Sequence, residues 1–399
     1  MIVSIVQYPK LVSSHSNFGK QAPGLENRRK KMKQLRICIC LCLLFFSCQC
    51  IGQFRKYSNE FLNIGAGARG LAMGSAQIAS VSDGSAGYWN PAGLVNVKDY
   101  PQLNLMHAEY FAGIGKYDFG SIAFPLKDNK RALALSLLRF AVDDIPNTIF
   151  LVEPDGTINF SNIQTFSSAD YAFLVSFAQQ MDLKKDKKIN VGFNAKIIHR
   201  KAGEFATAWG FGFDAGVQFT AHRFKLGIMA RDVTTTFNAW SFNFSERVRE
   251  VFYMTKNDIP VKSTELTAPK LILGGAYNFK LNRNMDLLTE ANFDFTFDGR
   301  RNTVLGSNIV SVDPKIGLEL AFKQAFFVRA GINNFQRALD DEDSTYQKKI
   351  WIYQPSLGAG FKISNVQIDY AFTNLANQSN PLYTHVFSLK VDLKKKEKK

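Results

Sequence analysis

The chain has 399 residues, 46% of them apolar and 13% aromatic, enough for one large domain or two small ones and too apolar for a disordered chain. Its formal charge of +15 is unevenly placed: residues 1–52 carry eight Lys or Arg against one Glu, and the run Lys394–Lys399 adds another +4, which leaves only about +4 for the body of the chain. That distribution removes the main argument for nucleic-acid binding, and no run of 18 or more apolar residues is present to cross a bilayer as a helix.

Residues 1–31 are polar, include Arg28-Arg29-Lys30-Lys31, and read as a non-native extension ahead of the true start at Met32. Residues 32–52 read as a secretory signal: Lys33 and Arg36 precede the apolar stretch Ile37–Phe46, too short to span, and Gly52 marks a cleavage point. Cys38, Cys40, Cys42, Cys48 and Cys50 all fall inside this signal. The mature chain is therefore expected to lack disulfides, thiolate metal sites and cysteine nucleophiles. A lipoprotein anchor at Phe45-Phe46-Ser47-Cys48 is the competing reading, and the bulk of Phe46 stands against it.

Residues 53–101 are dense in small residues, above all Gly65–Ala76 and Asp83–Leu94. Gly and Ala permit tight turns and close backbone packing, which a segment folded into a confined space requires. Gly65, Gly67 and Gly70 formally match a dinucleotide fingerprint, but no strand precedes them and that reading is set aside. The run Gly67-Ala68-Arg69-Gly70-Leu71-Ala72-Met73-Gly74, the spacing to Asp83, and Tyr88-Trp89-Asn90-Pro91-Ala92-Gly93-Leu94 resemble the N-terminal signature of the PorV/PorQ outer-membrane proteins, relatives of the FadL fatty-acid transporter barrels.

The resemblance implies a 14-stranded barrel with an N-terminal hatch in its lumen. Gly65, Gly67, Arg69, Met73, Gly74, Asp83, Asn90, Pro91, Ala92 and Gly93 would be hatch positions, with Pro91 stiffening a turn and Asn90 bonding to lumen backbone. It also implies a non-catalytic role in the type IX secretion system. There such a barrel binds the C-terminal signal of secreted cargo proteins and meets translocon or attachment components.

From residue 102 the sequence alternates apolar with polar or small residues at period two. Trp209, Phe211, Phe213, Ala215, Val217 and Phe219 alternating with Gly210, Gly212, Asp214, Gly216, Gln218 and Thr220 is the clearest case. Fourteen strands are expected, at 102–110, 117–126, 131–140, 170–180, 188–199, 208–220, 223–231, 269–280, 285–297, 314–323, 325–333, 354–363, 365–373 and 384–393. Their lengths suit tilted strands crossing a hydrocarbon core. The predicted fold is an all-β, 14-stranded antiparallel transmembrane β-barrel over 102–393, with a hatch at 53–101 and a solvated basic tail at 394–399.

Connections after even-numbered strands are short and the long ones follow odd-numbered strands, as outer-membrane barrels separate periplasmic turns from external loops. The expected location is the bacterial outer membrane, in contact with its lipid, with both termini periplasmic. The long segments 141–169, 232–268 and 334–353 are candidate partner-binding loops, with Phe150, Phe237, Trp240, Phe242, Phe244 and Trp351 as candidate anchors or interfacial girdle residues.

No cofactor, metal site or enzymatic activity is expected. His107, His199, His222 and His385 are scattered without metal-ligand spacing, and Asp340-Asp341-Glu342-Asp343 lacks the spaced ligands and glycine of a calcium loop. Two functions stay open beside a purely structural scaffold: a type IX secretion component binding cargo or translocon, and a FadL-like transporter of hydrophobic small molecules. Lys196, Asp214, Lys225, Arg231, Glu290, Asp294 and Glu319 at lumen-facing positions weigh against an apolar conduit.

Overall fold

The computed structural model describes residues 58–153, 155–183, 187–260, 262–339, 349–373 and 383–394. The expected extension and signal with all five cysteines, the acidic run 340–343 and the end of the basic tail lie outside the described residues. The strands in chain order are β1 Gln102–Tyr110, β2 Gly115–Pro125, β3 Arg131–Asn147, β4 Gln164–Asp182, β5 Lys187–Ala202, β6 Ala206–Ala221, β7 Phe224–Arg231, β8 Thr236–Phe242, β9 Lys262–Thr267, β10 Lys270–Lys280, β11 Met285–Thr296, β12 Leu305–Gly306, β13 Ser311–Phe322, β14 Phe326–Leu339, β15 Lys349–Ile363, β16 Val366–Thr373 and β17 Thr384–Asp392.

All but β8, β9 and β12 form the wall: fourteen antiparallel strands, each paired with its neighbours in sequence and closed by β1 against β17 from Gln102↔Asp392 to Glu109↔His385. Closure leaves the wall without an open edge. Alternation decides the two faces. On β3, Leu133, Leu135 and Leu137 point outward and are exposed, while Ala132, Ala134, Ser136 and Leu138 point inward and are buried. On β5 and β6 the outward residues are Phe193, Ile197, Trp209, Phe211 and Phe213, and the buried inward ones include Asn190, Asn194, Lys196, Asp214 and Gln218.

An apolar belt outside a polar lumen fits a bilayer around the barrel. We expect Leu135→Arg, which puts a charge into that belt, to cost about 2–4 kcal/mol in a lipid-bilayer unfolding titration, against less than about 0.5 kcal/mol for Val152→Arg on an exposed loop.

One end of the barrel carries the short turns, and the chain enters and leaves the wall there, where the Leu393 amide donates to the Pro101 carbonyl at 2.8 Å. Lys323 and Gln324, with φ of 50° and 53°, make the tight β13–β14 turn in the mirror-image geometry whose twist suits a hairpin. The opposite end carries the longer connections. There the structure extends what periodicity shows: β3 and β4 reach Asn147 and Gln164 rather than ending at 140 and 170, with a register shift between Val142 and Ile145. Beyond the belt both faces of a strand meet water, so the alternation fades while the backbone pairing continues.

The segment 232–268 is likewise not an irregular loop. It holds the β8–β9 hairpin and the helix α3, Glu246–Met254, whose first turn is capped by the Ser245 hydroxyl accepting from the Val248 amide. β6 pairs with β7 through Ala215↔Ala230 at its turn end and with β8 through Ala206↔Phe242 at its loop end, so the hairpin prolongs the wall.

Candidate functional site

Residues 58–97 fold inside the barrel, built on two short helices, α1 Ala68–Ala72 and α2 Ala86–Trp89, and a helical turn Pro91–Asn96. Almost every residue of this hatch is buried although the segment has few large side chains. What fixes it is backbone contact with inward-facing wall glycines. A Cβ on Gly331 would lie 2.0 Å from the Gly74 nitrogen, and one on Gly317 would lie 2.5 Å from the Met73 oxygen. Gly74 itself has φ +60° and sits against the backbone of Ile332, so glycine is required on both sides of the contact. Met73 is fully buried at this junction.

Asn90 pins the other half of the hatch. Its amide nitrogen lies 3.1 Å from the carbonyl oxygens of Ile78 in the hatch and of Val217 in β6, and its side-chain oxygen accepts from the Ala92 amide at 3.2 Å. Pro91 and Ala92 press on β5 so closely that a Cβ on Gly192 would lie 2.3 Å from the Ala92 nitrogen. Gly93 is held against the Val81 carbonyl in the same way, and Gly65, with φ +118°, packs beneath Leu71 and Trp89. The Trp89 indole donates to the Ala66 carbonyl at 2.7 Å, and the Gly67 amide points at the Met106 sulfur at 3.0 Å.

The hatch's remaining polar groups meet wall side chains. The Ser356 hydroxyl lies 3.1 Å from the Gly74 nitrogen and 3.0 Å from the Ala72 oxygen, Glu290 accepts from the Ala79 amide, and Asn194 donates to the Gly87 carbonyl. Asp83 accepts from the Ser85 hydroxyl and amide and faces Lys390 at 3.5 Å. Satisfying buried backbone groups in this way is what allows irregular chain at membrane depth.

Arg69 carries the hatch's charged link to the wall. Its guanidinium meets both Glu319 oxygens at 2.8 and 3.0 Å, Glu319 also meets Arg329 at 2.6 Å, and Arg329 reaches Asp369 at 2.7 Å. Arg329 is fully buried. Elsewhere in the lumen Lys196 bridges Asp214 and Asp232 at 2.7 and 2.6 Å, while Lys270 and Lys315 share one oxygen of Asp294 at 2.9 and 2.8 Å. Arg231 lies over the Tyr88 ring and donates to the Tyr88 carbonyl.

Among the described residues the lumen holds a cavity on each side of the hatch. A cavity of about 320 Å³ faces the loop end above Glu60, Asn63, Leu71 and Ser75, and one of about 170 Å³ faces the turn end beside Arg69, Ser80 and Ser82.

The candidate anchors separate in the structure. Trp240, Phe242 and Phe244 form a stacked ladder completed edge-on by Phe252 of α3, with Arg200 over the Trp240 ring, so they hold the β8–β9 hairpin together. Phe237 points outward from β8, Phe150 is covered by Arg247, and Trp351 is half-exposed under Arg337. The freely exposed apolar side chains at the loop end are others: Val152, Ile158 and Phe160 in the β3–β4 loop, Tyr253 and Met254 at the end of α3, and Ile309 before β13. Aromatic size does not separate the two groups, since Phe160 and Tyr253 are aromatic as well; the exposed ones sit on a helical turn, a helix end and a loop rather than in the ladder on the β8–β9 hairpin. In the same β3–β4 tip, hydrogen bonds from the Thr157 hydroxyl and amide hold the Asp155 carboxyl below the usual carboxylate range.

The four described histidines stay apart: His107 meets Asp118 and Glu109, His199 stacks on Trp209, His385 meets the Tyr370 hydroxyl, and His222 occupies a turn.

No protein-family model matches this chain, and no curated protein matches it. Solved structures do. The Pseudomonas putida toluene transporter TodX aligns with a TM-score of 0.50 and 14% identity over 82% of this chain and 98% of that one. The Ralstonia pickettii toluene transporter TbuX (0.49, 12%, 82% and 98%) and the CymD monoaromatic hydrocarbon channel (0.49, 12%, 84% and 99%) are also similar. At such identities the likeness to TodX speaks to the fold alone, the closed antiparallel β-barrel described above.

Proposed function

We propose that this barrel works at its loop-end surface as a docking receptor for another protein, and that it does not serve as an open channel. The observation that carries the reading is the seated hatch: it bonds to side chains on β1, β5, β11, β15 and β17, and the ion-pair chain from Arg69 to Asp369 ties it to β13, β14 and β16. Such an interior offers no apolar path, because a hydrocarbon entering it would leave buried charges unpaired. The exposed apolar tips Phe160, Tyr253 and Ile309 supply the kind of side chain that anchors a protein partner. The residue 65–94 resemblance names the partner class: exported proteins of a type IX secretion system or that system's translocon, met at the outer membrane with both termini periplasmic.

A second reading, a transporter of hydrophobic small molecules, is favoured by the fold shared with TodX. Affinity capture of tagged protein from outer membranes separates the two. The first reading expects exported proteins with type IX C-terminal domains to be recovered, and expects Phe160→Ser/Tyr253→Ser/Ile309→Ser to lower that recovery at least about tenfold while the barrel still migrates as a folded species. Recovery of bound hydrocarbon or fatty acid without any protein partner would transfer the conclusion to the second.

A further inference from the structure

We propose that the loop-side cavity is a binding site for a small uncharged polyhydroxylated molecule, one or two sugar rings in size. Its volume of about 320 Å³ lies at the low end of ligand pockets, roughly 300–1,000 Å³. Six asparagine and glutamine residues line it, among them Asn333, Asn334 and Gln354. Amides both donate and accept, as sugar hydroxyls do, whereas a hydrocarbon would leave them unpaired.

The charges around the space balance: Glu60, Asp294 and Asp313 stand against Lys270, Lys315 and Arg301. A ligand there has no net charge to neutralise, which argues against a free anion or cation. Three polar groups of the lining have no hydrogen-bond partner among the described residues: the Tyr117 hydroxyl, on a ring that is fully buried, and one oxygen each of Asp294 and Asp313. In Asp294 the cause is visible, since both lysines take the same oxygen and leave the other free. Asp294 and Asp313 are direct cross-strand partners on β11 and β13, so their unpaired oxygens belong to one stretch of wall. Buried polar groups without partners call for a ligand or water to complete them.

The proposal does not rest on protein docking at the loop tips. Its test is calorimetric titration of the full-length protein in detergent with glucose, maltose and N-acetylglucosamine, each up to about 10 mM. Saturable binding of at least one is expected. Tyr117→Phe, which removes a hydroxyl that no described group bonds, should weaken it about three- to tenfold, and adding Gln354→Leu should weaken it further. Absence of binding by all three sugars overturns the proposal, as does binding that the double variant leaves unchanged. Toluene binding that competes with none of the sugars and survives in the double variant overturns it too, because the space would then be an apolar site.

Discussion

Gly331→Val is expected to convert a closed barrel into a leaky one. The added Cβ would lie 2.0 Å from the Gly74 nitrogen and 2.2 Å from the Met73 carbonyl carbon, and both obstacles are backbone held by further hydrogen bonds. Neither side can yield by a rotamer change, so the clash sits at the upper end of overpacking costs, about 3 kcal/mol or more. The wall has far more hydrogen bonds to lose than α1 has, and the hatch is the part expected to move. In planar bilayers the variant should show unitary conductance steps that the parent lacks, while still migrating as a folded barrel. Gly275→Val is the control, since Gly275 faces outward and its Cβ would meet only Leu226 at 3.8 Å. If both variants behave like the parent, the hatch is not seated through this contact.

The second large effect belongs to Arg329→Met. Arg329 is fully buried between Glu319 and Asp369, and its loss leaves, among the described residues, Gln367 bonded to Asp369 and Arg69 paired with Glu319. Removing one partner from a buried ion pair costs about 3–5 kcal/mol, chiefly through the uncompensated charge left behind. Denaturant unfolding in lipid should register that loss. Arg329→Met combined with Asp369→Leu should recover part of it, because the pair is then replaced rather than broken. A single substitution costing less than about 1 kcal/mol would mean that water reaches the network and screens it.

The wall was legible in the sequence because lipid and lumen impose opposite chemistry on successive residues. Trp209 to Thr220 displays that rule without exception, and all fourteen wall strands stand where the alternation places them. The rule weakens where its cause ends. Pairing beyond Phe140, the β8–β9 hairpin and α3 lie past the apolar belt, where both faces meet water and periodicity carries little information.

The hatch was legible in composition but not in contacts. Small residues from Gly65 to Gly93 announced close packing, yet nothing local states that Gly74 meets Gly331 or that Asn90 meets Val217. A signal did exist: Gly192, Gly216, Gly227, Gly274, Gly317 and Gly331 all occupy inward positions, where a wall facing open water would have no need of them. The lumen charges were visible as charges, whereas their pairing across strands distant in sequence, as in Arg69–Glu319–Arg329–Asp369, was not. The exposure of Phe160, Tyr253 and Ile309 was not legible, because it is set by how the folded loops and α3 pack.

Hydrogen–deuterium exchange of the reconstituted protein tests the seating of the hatch most directly. Amides of residues 70–93, among them those of Gly74 and Ala79 held by wall side chains, should exchange as slowly as those of the neighbouring strands β5 and β13. Exchange across this segment as fast as at the exposed β3–β4 tip would contradict the account, because the hatch would then be a loose strand in an open pore.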